Sequence, residues 1–143
     1  MALLPVKARE LAGRITAGAF ILHSGLDKWN VDEGHAAGVH GMAAAAFPPL
    51  KDVPPATFVK LLSAGEIAVG ALVLAPFVPA AVAGAALTGF SGALLTMYAR
   101  TPALRKPGSI WPSQPGIGIS KDVWMLGIGL GLLTDAVTRR RSR

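Results

Sequence analysis

The stretch Ile67–Ala99, IAVGALVLAPFVPAAVAGAALTGFSGALLTMYA, contains no charged residue and decides the fold. As one helix it would be about 50 Å long, far beyond a hydrocarbon core of about 30 Å, so it must turn back on itself. The turn is legible at Pro76-Phe77-Val78-Pro79, where each proline removes a backbone donor and disfavours helix in the residue before it. The stretch therefore predicts two helices joined by a tight hairpin, over 57–75 and 80–99, each close to the roughly twenty residues that a spanning helix needs.

Working outward, a further span covers 10–29 and another 121–138. The uncharged part of the first, Ile15–Leu26, is short, but Arg14 and Lys28 can snorkel to the headgroups and lengthen it. Lys7 and Arg9 before an apolar run suggest a signal peptide, yet Arg14 sits inside the run and the small residues Ala43–Ala46 lie far beyond its end, so a retained span is preferred. With connectors over 30–56 and 100–120, the expectation is an all-α protein. Residues 1–143 form a single membrane domain, an integral four-helix antiparallel bundle with both termini on one side.

Composition agrees. Apolar residues make up 52% of the chain and charged residues 15%, below the quarter usual for soluble domains, and the mean hydropathy is +0.49. A net charge of +6 would suggest a nucleic-acid partner in a polar chain, but the apolar content and only 6% aromatics argue against one. The absence of cysteine excludes disulfides, thiolate metal sites and a dithiol redox role. Orientation follows Lys and Arg beside the spans. Lys7, Arg9, Arg14, Arg139, Arg140, Arg141 and Arg143 stand on the side of the termini, against Lys28, Lys51, Lys60, Arg100, Arg105, Lys106 and Lys121, a tie of seven each. Clustering in the tails favours cytoplasmic termini. Trp29, Tyr98, Trp111 and Trp124 fall on the other side, with both long connectors.

Glu66 is the most informative residue, because it lies near the middle of its span, where an ionised carboxylate costs at least about 2.5 kcal/mol. A helical wheel puts Ser63, Glu66 and Gly70 on one face, which must point into the bundle. Aligning the span centres puts Glu66 level with Ala19, Phe90 and Leu130, near Gly18, Thr88, Gly89, Ser91, Gly92, Gly129 and Gly131. Two readings stay open: a headgroup pocket built from Glu66, Arg14, Gly18, Ser63 and Ser91, or close helix packing of the small-xxx-small type, as in Gly127-x-x-x-Gly131. Glu66 is the one candidate for proton chemistry. Arg14, Gly18, Gly25 and Lys28 fall within about 80° on the first helix, with His23 opposite, and two expectations stay open for Arg14: an ion pair with Glu66, which would hold the carboxylate ionised, or an arginine that binds lipid headgroups.

The connector over 30–56 holds Asp32, Glu33, His35 and His40, but the two His are five apart and no third nitrogen or sulfur ligand is near, so no metal site is expected. A short interfacial helix over 33–47, ended by Pro48 and Pro49, is the better reading. Arg100, Arg105 and Lys106 suit lipid phosphates. No nucleophile elbow, Walker loop, H-E-x-x-H or strand-linked dinucleotide fingerprint is present.

The segments RITAGAFILHSGLDKW (Arg14–Trp29), LLSAGEIAVGALVLAP (Leu61–Pro76) and KDVWMLGIGLGLL (Lys121–Leu133) resemble the DoxX family of small bacterial membrane proteins. The likeness rests on Arg14, on Gly25 with Lys28, and on Glu66 with Gly70. It implies a four-helix membrane bundle associated with oxidoreductase systems such as thiosulfate:quinone oxidation or thiol-linked defence against oxidative stress. It further implies an accessory or anchor subunit with no intrinsic cofactor, a bound quinone or lipid, a protein partner, and room for a homo-oligomer. The competing expectation is a non-catalytic assembly protein whose connectors dock a larger complex.

Overall fold

The computed structural model describes residues 6–142, so Arg143 of the basic tail lies outside the described residues. The order is α1 (Ala8–Lys28), α2 (Glu33–Ala46), α3 (Pro55–Leu74), α4 (Ala80–Arg100), a single turn α5 (Ile117–Ser120) and α6 (Asp122–Arg141), and the described residues contain no strand. Local chemistry sets the ends. The Asp32 side chain caps α2 by accepting from the His35 N–H at 2.7 Å. Pro55 opens α3 at a position where its missing N–H costs nothing, and α3 stops at Leu74, two residues before Pro76. Arg139, Arg140 and Arg141 close α6, where the helix dipole favours cations.

The α3, α4 and Gln114–Arg141 helices are long and apolar enough to cross a membrane. That makes the protein all-helical and compatible with a multi-pass membrane protein. The α1 helix has the length but also carries Arg9, Glu10, Arg14, Asp27 and Lys28, which lower its average below that of a spanning helix. Its most extensive contact is nevertheless with α3, as that of α4 is with α6. The α2 helix lies against α3 and α4, and its bounds fall within one residue of those expected over 33–47.

Glycines set the register of both pairs. A Cβ on Gly70 would stand 2.7 Å from the Leu22 backbone nitrogen, and one on Gly25 would stand 2.9 Å from both Glu66 and Ile67. Likewise Gly84 meets the Gly129 carbonyl at 2.9 Å, and Gly129 meets Thr88 at 2.5 Å. Gly127 and Gly131, the expected small-xxx-small pair, have open space beside them, because Gly129 lies on the opposite face of α6 and makes the contact instead. One core unites Ile21, Val73, Ala83, Leu87 and Leu132; a second forms where Ala43 and Ala46 meet Met97. Leu61, Phe77 and Trp124 point outward, as side chains do where the surroundings are apolar.

Candidate functional site

The register changes the partner of Glu66. With Gly25 pressed on Glu66 and Ile67, the level of Glu66 on α1 is Gly25 and not Ala19, six residues or about 9 Å further along. Lys28 follows by less than one turn on the same face. Its Nζ lies 3.2 Å from Glu66 Oε2 and donates also to Ser24 Oγ at 2.5 Å. The expected Arg14–Glu66 pair does not form.

Arg14 works at the other end of α3. Buried to 2% exposure, its guanidinium donates to the carbonyls of Val73 (2.7 Å), Val78 (2.9 Å), Ala75 (2.9 Å) and Leu72 (3.4 Å). These acceptors belong to the end of α3 and the proline hairpin, where the helix leaves carbonyls without intrahelical donors and apolar surroundings offer none. A rigid five-donor fork can serve them together. Around it runs a chain of ions: Glu10 lies 3.6 Å from Arg14 and 2.7 Å from Arg139, and Asp135 lies 2.6 Å from Arg139 and 2.5 Å from Arg9. The cluster ties α1, α6 and the hairpin together.

The remaining pocket candidates serve packing. Gly18 lets Leu74 approach to where a Cβ would stand 2.7 Å away. Ser63 is fully buried, its hydroxyl donating to the Gly25 carbonyl at 2.5 Å, and Ser91 donates to the Leu87 carbonyl of its own helix at 2.7 Å. Of the five residues proposed for a pocket, Glu66 alone lines the cavity at the connector end of the helices.

That pocket is a cavity of about 410 Å³ at the connector end of the helices. Its walls are Phe20 and Ile21 of α1, Val39 and Met42 of α2, Phe58 and Leu62 of α3, Phe90, Leu94 and Met97 of α4, and Ile119 and Met125 beside α6. Polar groups are few and grouped: Ser24, Lys28, Glu66 and Asp122. Asp122 opens α6 and lines the same space as the Lys28–Glu66 pair. Lys28 supplies a hydrogen-bond donor, and the two carboxyls supply acceptors or, when protonated, donors. Size and lining fit a ligand with a small polar head and an apolar body, since drug-sized sites run from about 300 to 1,000 Å³ with a few placed polar groups.

Lys28 stood on the inward face of the first span in the sequence but was not connected with Glu66, and Asp122 was hidden in the Lys121-Asp122 step at the start of the last span. His40 Nε2 lies 2.8 Å from the Leu50 carbonyl and its ring meets Phe58 edge-on, and among the described residues no group of three His, Asp or Glu could hold a metal ion. Compared with known protein families, with curated proteins and with solved structures, the chain matches none.

Proposed function

We propose that this chain is a DoxX-like four-span protein of a bacterial cytoplasmic membrane, with both termini in the cytoplasm, and serves as an accessory or anchor subunit of a quinone-linked oxidoreductase. The observation that carries this reading is the cavity. Its apolar walls suit the isoprenoid-bearing body of a quinone, and Lys28, Glu66 and Asp122 stand where a ring carbonyl would need hydrogen bonds. A quinone supplies two-electron redox chemistry when bound. The protein's own part is to orient the head through Lys28 and Ser24 and to keep a proton at the Glu66 or Asp122 carboxyl within reach of a carbonyl oxygen. With no cysteine in the chain, electrons come from a partner. Four spans rather than three are supported by the close packing of α1 along α3, at Gly18, Gly25 and Gly70.

The second reading, a non-catalytic assembly protein, is favoured by the Lys28–Glu66 pair itself, which is satisfied within the protein and fixes the α1–α3 register. Native mass spectrometry of the gently solubilised protein from its own membrane separates the two. A quinone-mass adduct that is lost in Glu66→Gln, or a redox partner, supports the first. A bare or lipid-only bundle, or a non-redox partner alone, rejects it for the second.

A further inference from the structure

We propose that the cavity is loaded sideways from the bilayer, through a slot between α1 and α6, and therefore takes amphiphiles with a hydrogen-bonding head and a long apolar chain that stays in the slot. This deepens the reading above: it rests on the cavity being a ligand site, and not on the head being a quinone. The sides of the cavity are closed in different ways. On one side α2 packs on both α3 and α4, and its Val39 and Met42 reach the cavity. The α1–α3 and α4–α6 seams are packed at glycines, Gly25 and Gly70 in one, Gly84 and Gly129 in the other.

The α1–α6 seam is tied at the end of the termini, by the Arg9–Asp135 and Glu10–Arg139 ion pairs and by Gly13, where a Cβ would stand 3.0 Å from Ile128. Nearer the connectors the same two helices face the cavity instead, Phe20 and Ser24 from α1, Met125 and Asp122 from α6. Phe20 lines the cavity yet is 68% exposed, so cavity and outer surface meet at its ring. The other exposed lining residues, Ala93 and Gly118, add no more than a methyl group and a hydrogen. Phe20 lies within the uncharged run Ile15–Leu26, the part of α1 that costs least to place in hydrocarbon, so the surface it opens onto is lipid.

Position along the helices gives the ligand its direction. Lys28 is the last residue of α1 and Asp122 the first of α6, so the polar edge stands at the connector end. Phe20 comes eight residues before Lys28, about 12 Å further from that end along the helix axis. A head held by Lys28 therefore sends its chain past Phe20 toward the bilayer centre, the direction in which amphiphiles of that leaflet already point. Volume agrees with this arrangement. At about 410 Å³ the cavity is near the lower end of the range of about 300–1,000 Å³ for small-molecule sites, so it holds a ring-sized head and leaves a long chain outside.

The test begins with alkaline washing of membranes that contain the protein; release of the full-length chain rejects the membrane reading and the slot with it. The retained protein is then irradiated with a fatty alcohol that carries a diazirine in mid-chain, and the attachment sites are read by peptide mass spectrometry. Attachment is expected around Phe20 and Met125, at the slot, and around Leu61, on the exposed side of α3. An excess of unlabelled fatty alcohol, or of a decyl-substituted benzoquinone, is expected to lower attachment at the slot at least about fivefold and to leave Leu61 unchanged, because the slot is a saturable site and the lipid-facing surface is not. At the same concentration the benzoquinone ring without its chain is expected to leave attachment at the slot unchanged. Competition by the fatty alcohol but not by the decyl benzoquinone keeps the slot and rejects the quinone head. Competition at the slot no stronger than at Leu61, or equal competition by the chainless ring, overturns the proposal.

Discussion

Lys28 Nζ and Glu66 Oε2 stand 3.2 Å apart across the α1–α3 seam, with the carboxylate side chain 6% and the amine 23% exposed. The pair crosses between helices 38 residues apart in sequence, and it forms the polar edge of an otherwise apolar cavity. Both groups depend on each other: removal of either leaves a charge in a place that hydrates it poorly.

Single substitutions at this pair are therefore expected to cost more than a joint one. Lys28→Met and Glu66→Leu should each destabilise by about 1–3 kcal/mol, less than the 3–5 of a fully buried pair because Lys28 keeps some water. The double variant should lose less than the two losses summed, since no unpaired charge remains. Unfolding in detergent, followed by helix content, measures all three; strict additivity would show that the pair is not coupled.

The seam glycines divide into two kinds, and alanine tells them apart. Gly70→Ala forces a Cβ into the Leu22 backbone, which neither helix can move aside cheaply, so a loss of about 1–3 kcal/mol is expected. Gly92→Ala meets open space and should leave stability unchanged or raise it by up to about 1 kcal/mol. Thermal melting of the two variants side by side checks the difference in sign.

Loss of the Arg14 fork should be the most damaging change in the chain. Arg14→Ala strands the carbonyls of Leu72, Val73 and Val78, leaves Ala75 with only the Val78 N–H, and leaves Glu10 without one of its cations, for an expected cost of about 3–5 kcal/mol. Arg14→Lys keeps the charge but not the fork and should recover only part. The yield of membrane-inserted protein and its melting temperature report both; full rescue by lysine would mean that charge alone matters.

The 100–120 connector is tied down by backbone and side-chain bonds, among them Tyr98 Oη donating to the Ile110 carbonyl at 2.6 Å. Tyr98→Phe should cost about 1 kcal/mol and loosen the loop, which trypsin cleavage after Arg105 would register as a faster nick. An unchanged cleavage rate would place the restraint elsewhere, in the Lys106–Trp111 and Leu104–Ser113 backbone bonds.

Helix positions were readable because prolines and charge gaps are local signals. Pro76 and Pro79 bracket the observed break between Leu74 and Ala80, and Pro48 follows the end of α2 by two residues. The inward face of the first span was readable for the same reason, since Arg14, Gly18 and Gly25 share a side of one helix and are buried. Register between helices was not local. Aligning span centres set Ala19 beside Glu66, whereas the fit of Gly25 and Gly70 against the opposite backbone slides α1 by six residues and delivers Lys28. Asp122 joined the site for a similar reason, through the approach of α6 to α4 at Gly84 and Gly129, which no single segment reveals.

The close fit of α1 on α3 also grades the stiffness of the cavity wall. On that side, backbones touch at Gly25 and Gly70, so the Lys28 amine and the Glu66 carboxyl are held in place by main chain as well as by side-chain torsions. On the opposite side α2 buries only alanines, Ala36, Ala43, Ala44 and Ala46, and Gly38 and Gly41 touch nothing. Each alanine removes little apolar area from solvent, so α2 is fastened by far less free energy than the seam. The polar edge of the chamber is thus its stiffer jaw, and α2 is its more loosely fastened wall.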